Sequence, residues 1–153
     1  MCVILNNIIF EEVMFLIALS LTQPYAELIK NGVKSIETRS WKTDYRGIMY
    51  IHASSTKIPK ESRENTELMK LAEGNDMDYG AIICSCNLVD CVQMTDAFVE
   101  DMKQNHSNEY LAGIYMPGRY AWIFEDIKIL EEPIKMKGHL GLWNFELSKN
   151  QHE

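Results

Sequence analysis

The sequence predicts an α+β fold: a mixed β-barrel carrying short peripheral helices. Strand-like runs outnumber helical ones, and most strands are separated by more than a hairpin turn. Short helical stretches interrupt them, without the regular alternation a doubly wound sheet requires. A length of 153 residues corresponds to one domain, enough to bury a core without disulfides or metal.

Taken in order, residues 1–21 are apolar overall, but Glu11 and Glu12 interrupt the run and no Lys or Arg precedes it. A spanning helix needs roughly 20 apolar residues with few or no charges, so a membrane reading is not expected. Residues 1–13 are set apart as an N-terminal extension, with Met14 as an alternative start, and 14–148 as a single domain. A cytoplasmic protein is expected.

Phe15–Leu21 reads as the first buried strand, and Pro24 opens a short helix whose stripe is Tyr25, Leu28 and Ile29. Asn31-Gly32 ends it, since glycine suits the left-handed position after a helix. Lys34–Trp41 and Ile48–Ala53 read as strands about a turn at Asp44–Gly47, and Pro59–Glu73 as one helix. Gly80–Val92 is a long β-rich run, followed by a helix at Asp96–Lys103 capped by Thr95. Asn105–Gly118 shows no period. Arg119–Leu130 is strand-like, Pro133–Gly138 a connection, and Leu142–Leu147 a closing strand with Trp143, Phe145 and Leu147 on one face.

Cys84, Cys86 and Cys91 superficially suggest metal, but no second ligand pair accompanies them, and Cys84 and Cys86 would share one face of a strand. Buried thiols are expected, with neither metal nor cofactor. The net charge of −7 argues against a long footprint on duplex DNA. Its distribution is uneven: residues 25–60 hold seven basic and three acidic side chains, whereas 61–110 hold three and eleven. A locally positive face could therefore steer a small or short anionic ligand, and the acidic 61–110 surface leaves open a protein-interaction role.

The densest chemical cluster is Gln23-Pro24-Tyr25 followed by Gly32, Lys34, Glu37, Arg39 and Trp41. Strand alternation places Glu37 and Arg39 on one face and Thr38 on the other, while Lys34 at the turn is not oriented by it. An aromatic face, an acceptor for base edges and a cation for phosphate are the parts nucleobase recognition needs. Tyr25 and Trp41 supply the first, Glu37 the second, and Lys34 or Arg39 the third. Each has a structural alternative: Tyr25 in the core, Trp41 on a barrel rim, and Glu37–Arg39 as a surface ion pair. His52 reads as a satisfied structural histidine or an acid–base group, and Arg119, after the Pro117-Gly118 turn, as a cleft-mouth or solvated residue.

The pattern G-x-K-x-x-E-x-R formed by Gly32, Lys34, Glu37 and Arg39 resembles the signature of the ASCH domain family, within the PUA-like superfamily. So do Leu19–Ala26, Tyr45-Arg46-Gly47 with Ile51-His52-Ala53, Pro117–Trp122 and Lys137–Trp143, especially as in stand-alone bacterial and phage members. The resemblance implies a PUA-like barrel that binds RNA or a modified nucleobase or nucleoside in a cleft beside the motif. The expected ligand residues are Gln23, Tyr25, Lys34, Glu37, Arg39, Trp41, His52 and Arg119. A small branch of the family hydrolyses N4-acylated cytidines with a Lys and a Thr in the motif. Here Glu37 stands at the Thr position, so amidohydrolase chemistry by Lys34 and Glu37, with the carboxylate activating water, is the alternative.

Overall fold

The computed structural model describes residues 13–148 in full and residues 2–5 and 8–11 as backbone strands. Those strands, β1 (Cys2–Leu5) and β2 (Ile8–Glu11), pair antiparallel as a two-stranded sheet. The remainder of the predicted 1–13 extension, apart from Val13, lies outside the described residues.

Six further strands form one mixed sheet: β3 (Val13–Leu21), β4 (Ile36–Arg39), β5 (Gly47–Ala53), β6 (Ala81–Gln93), β7 (Tyr120–Lys135) and β8 (Leu142–Ser148). Their order is β4-β7-β6-β5-β3-β8, with β3–β5 the parallel pair and the other neighbours antiparallel. The α+β class and short helices agree with expectation. Barrel closure does not appear, because β4 and β8 stand at opposite ends of the hydrogen-bonded order.

Burial explains why the central strands look continuously apolar. On β3 and β5, Leu19, Met49 and Ile51 enter one cluster around Trp122 and Phe124, while Ala18 and Tyr50 enter another with Trp143, Phe145 and Leu147. Both faces are thus covered, as period-two alternation requires when each side has a core. Cys84 and Cys86 are fully buried among the first cluster. Burial pushes the Cys84 thiol up to about 12, with nearby Lys30 opposing and Glu27 reinforcing the shift. Among the described residues, no group of three His, Cys, Asp or Glu side chains is placed to hold a metal ion, and no helix is long and apolar enough to cross a membrane.

The helices are α1 (Tyr25–Lys30), α2 (Lys60–Arg63), α3 (Thr66–Lys70), α4 (Asp96–Asn105) and α5 (Ser107–Leu111). Three departures from the sequence reading have local causes. The single helix expected over Pro59–Glu73 is two, because Asn65 stops one and caps the next, its side chain accepting from Leu68 N at 3.1 Å. The aperiodic 105–118 stretch contains α5. The Pro133–Gly138 connection is partly strand: β7 continues to Lys135, with Pro133 in an interruption of the ladder where Cys84 pairs with Ile129 but Ile82 with Ile134.

Candidate functional site

α1 ends at Asn31, and Gly32 takes φ +85°, a left-handed turn that glycine enters at little cost. This turn sends the chain back toward β7, where β4 pairs Glu37 with Trp122 and Arg39 with Tyr120. The start of β4 is held from α5: Glu109 Oε2 accepts from Ser35 N and Ser35 Oγ, both at 2.7 Å. Sequence reasoning missed Glu109, for a lone glutamate in an aperiodic segment carries no signal of its destination.

Lys34 points inward. Its ammonium is fully buried and donates to the carbonyls of Ile36 at 2.5 Å and Ala112 at 2.7 Å. Glu37 Oε1 lies 3.5 Å from Lys34 Nζ and accepts from Thr38 N, while Glu37 Oε2 pairs with Arg39 Nη2 at 3.0 Å. Lys34, Glu37 and Arg39 therefore form a chain of charge running from the interior to the surface, with a buried cation satisfied by oxygen on several sides. Lys34, expected at the ligand, is placed with its ammonium turned to two protein carbonyls and beside the Glu37 carboxylate.

Gln23, also expected at the ligand, is likewise placed inward. It is fully buried, its Nε2 donating to the Asp78 carbonyl at 2.8 Å and its Oε1 accepting from Glu27 N at 2.9 Å. Both ends of the amide are engaged in tying the start of α1 to the 78–80 loop.

The remaining motif side chains meet at a cleft of about 540 Å³ between β4, the start of α1, α2 and the 112–119 loop. Tyr25, Glu37, Arg39, Trp41 and Arg119 all line it. Trp41 is 38% exposed and rests edge-on against Trp122, with ring centroids 4.8 Å apart. The Tyr25 hydroxyl hydrogen-bonds Ser62 Oγ at 2.8 Å, leaving its ring as wall. Arg119 donates from Nε to the Ile114 carbonyl at 3.1 Å and from Nη2 to the Thr38 carbonyl at 3.4 Å, which folds the 112–119 loop over β4. Gly113 makes this closeness possible: a Cβ there would stand 2.8 Å from Tyr115 Cε2 and 3.0 Å from Thr38 Cγ2.

Thr38 Oγ1 accepts from Ile114 N at 2.9 Å, so its hydroxyl is occupied in holding that loop. Among the described residues, Glu37 Oε2 takes only Arg39, which leaves acceptor capacity on that atom. The cleft holds two arginines and two glutamates, Glu37 and Glu61, so its local charge is balanced beside its aromatic surfaces.

His52 is 1% exposed, and both ring nitrogens are engaged. Nε2 lies 2.8 Å from the Met136 carbonyl and Nδ1 3.0 Å from Ser20 Oγ, which also accepts from Trp143 Nε1 at 3.1 Å. A carbonyl only accepts, so Nε2 carries a proton, and in the neutral imidazole Nδ1 accepts from the Ser20 hydroxyl. Burial holds its pKa below the ordinary value of 6.5; the Met136 carbonyl opposes this shift and His139 adds to it. The structural member of the two sequence readings of His52 is the one the hydrogen bonds fit.

A family model for the ASCH domain matches residues 19–138. Activating signal cointegrator 1 from Homo sapiens is 29% identical over 136 residues, and the protein of that name from Mus musculus is 28% identical over the same length. Each alignment takes in 87% of this chain and 23% of the relative, so the chain spans less than a quarter of those proteins. The match runs through the turn at Gly32, the buried Lys34–Glu37 pair, the Arg39 cleft and the Gly113 loop, and the chain belongs to the ASCH domain family.

Proposed function

We propose that residues 14–148 act as one ASCH unit that binds RNA or a nucleobase-containing ligand, with the base in the cleft between β4 and the 112–119 loop. The observation that carries this reading is the convergence of Tyr25, Trp41, Arg39, Arg119 and Glu37 on one cavity of about 540 Å³. That volume falls within the ordinary range for small-molecule sites. Trp41 and Tyr25 offer flat apolar surface for stacking, Glu37 Oε2 an acceptor for an exocyclic amine, and the arginines donors for carbonyl or phosphate oxygen. Lys34 acts behind this surface, fixing the carboxylate that in turn orients Arg39.

Titration of the full chain with single-stranded RNA and a panel of nucleosides tests the assignment. Stacking of one base on an aromatic side chain is worth about 1–3 kcal/mol, so Trp41→Ala should weaken binding by about 5- to 150-fold. Arg119→Ala should weaken it as well, with thermal melts confirming that both variants fold. Binding equal to wild type in both variants would remove the ligand from this cleft.

A further inference from the structure

Arg39 is shared by two cavities. Beyond it, on the side away from Trp41, lies a second pocket of about 390 Å³ that has Ser20, Thr22 and Arg39 in common with the aromatic cleft. The two are adjoining compartments of one groove, and their chemistry differs. The aromatic cleft balances two arginines with two glutamates. The second pocket has Arg39, Lys137 and His139 in its lining and no carboxylate, on a chain whose net charge is −7.

Its walls are hydroxyl-rich and held in place. On one side Ser54, Ser55 and Thr56 follow β5; Ser54 Oγ accepts from Thr56 N at 3.1 Å and hydrogen-bonds Thr56 Oγ1 at 2.9 Å, which sets the turn. On the other side is the Lys137–Gly141 loop. The His52 bond to the Met136 carbonyl anchors the start of that loop. Gly138 lies so close to the Ser20–His52 pair that a Cβ would stand 2.5 Å from Ser20 Oγ and 2.6 Å from His52 Cε1. Arg39 is also oriented in advance: Nη2 is committed to Glu37 and to the Ser20 carbonyl at 3.2 Å, and Nε is buried with no partner among the described residues. An oriented arginine, a lysine and hydroxyl donors, in a lining without a carboxylate of its own, suit a phosphate group, and the preorganisation of Arg39 lowers the cost of binding it.

We propose that this second compartment receives a phosphate group of the ligand whose base occupies the aromatic cleft, making the ligand a nucleotide or a phosphodiester chain rather than a free base or nucleoside. The proposal rests on the nucleobase reading above and narrows it. Leu140, 99% exposed at the rim between Gly138 and Gly141, would then border the path by which a strand leaves the groove.

The test compares the full chain's affinity for a nucleoside, its 5′-monophosphate, and a short single-stranded RNA with and without a 5′-phosphate. Charge-assisted hydrogen bonds predict that the monophosphate binds about tenfold or more tighter than the nucleoside, and that this ratio shrinks as salt is raised. In Lys137→Ala the ratio should fall toward one, and in Lys137→Glu further, while Trp41→Ala weakens nucleoside and monophosphate alike. A strand that needs its 5′-phosphate identifies a monoester in the pocket, and one that does not identifies a diester. A ratio of one in the wild type, or a ratio indifferent to Lys137, would overturn the phosphate compartment and leave the base cleft standing. Absence of binding by every probe would overturn both readings.

Discussion

The two halves of the signature do different work. Lys34 lies inward, fully buried and bonded to the carbonyls of Ile36 and Ala112, and Glu37 links it to the cleft wall. Arg39 and Trp41 lie outward, lining the cleft and, through Arg39, the pocket beyond it. The eight residues from Lys34 to Trp41 thus pass from a buried charge network to the cleft wall. The carboxylate that Lys34 holds also positions Arg39 at the cleft.

Substitution at Lys34 puts the greatest load on this contrast. Breaking a buried, hydrogen-bonded ion pair by removing one partner costs about 3–5 kcal/mol, and Lys34→Ala should lower stability by that order in a urea titration. Lys34→Met retains most of the stem, so a comparable loss would assign the cost to the stranded Glu37 carboxylate and the two carbonyls rather than to packing. A wild-type urea midpoint for either variant would collapse the distinction between the two halves.

A smaller effect is expected at the seam between the inner network and the outer groove. Gly138→Ala drives a methyl against Ser20 Oγ and His52 Cε1, and overpacking of this kind costs about 1–3 kcal/mol. Its thermal midpoint should fall, and fall less in a Ser20→Gly background, where one of the two obstructions is gone.

The smallest effect concerns His52 and pH. Its folded pKa is held below 6.5 by burial, so above about that pH the imidazole is neutral in both states and contributes no pH dependence. As pH falls through 6.5 the unfolded chain takes up the proton first, and stability is lost until the folded value is passed. The wild-type thermal midpoint should therefore drop more steeply between about pH 6.5 and pH 5 than that of His52→Gln, which removes this titration. Equal slopes would remove His52 from the account.

Much of the fold was legible because period-two burial is a local property. The alternation of Trp143, Phe145 and Leu147 put one face of β8 in the core, and the Gly32 and Thr95 helix signals stand where expected. Less legible were segments whose structure depends on distant partners. The α5 segment has weak periodicity and is joined to β4 by Glu109 contacts to Ser35. The second pocket draws residues from β3, β4, the turn after β5 and the loop before β8, which share no motif.

For the site, the sequence by itself determined composition and local order: a glycine turn, then a lysine, a glutamate and an arginine, with Glu37 and Arg39 on one face because strand side chains repeat every two residues. The tertiary structure decided which of them is buried and which faces the cleft. The direction of Lys34 depends on a carbonyl at Ala112, 78 residues away, and the fate of Gln23 on another at Asp78, 55 residues away. A buried donor must find an acceptor, and where that acceptor lies is a property of the packed sheet and its loops, not of the eight residues from Gly32 to Arg39.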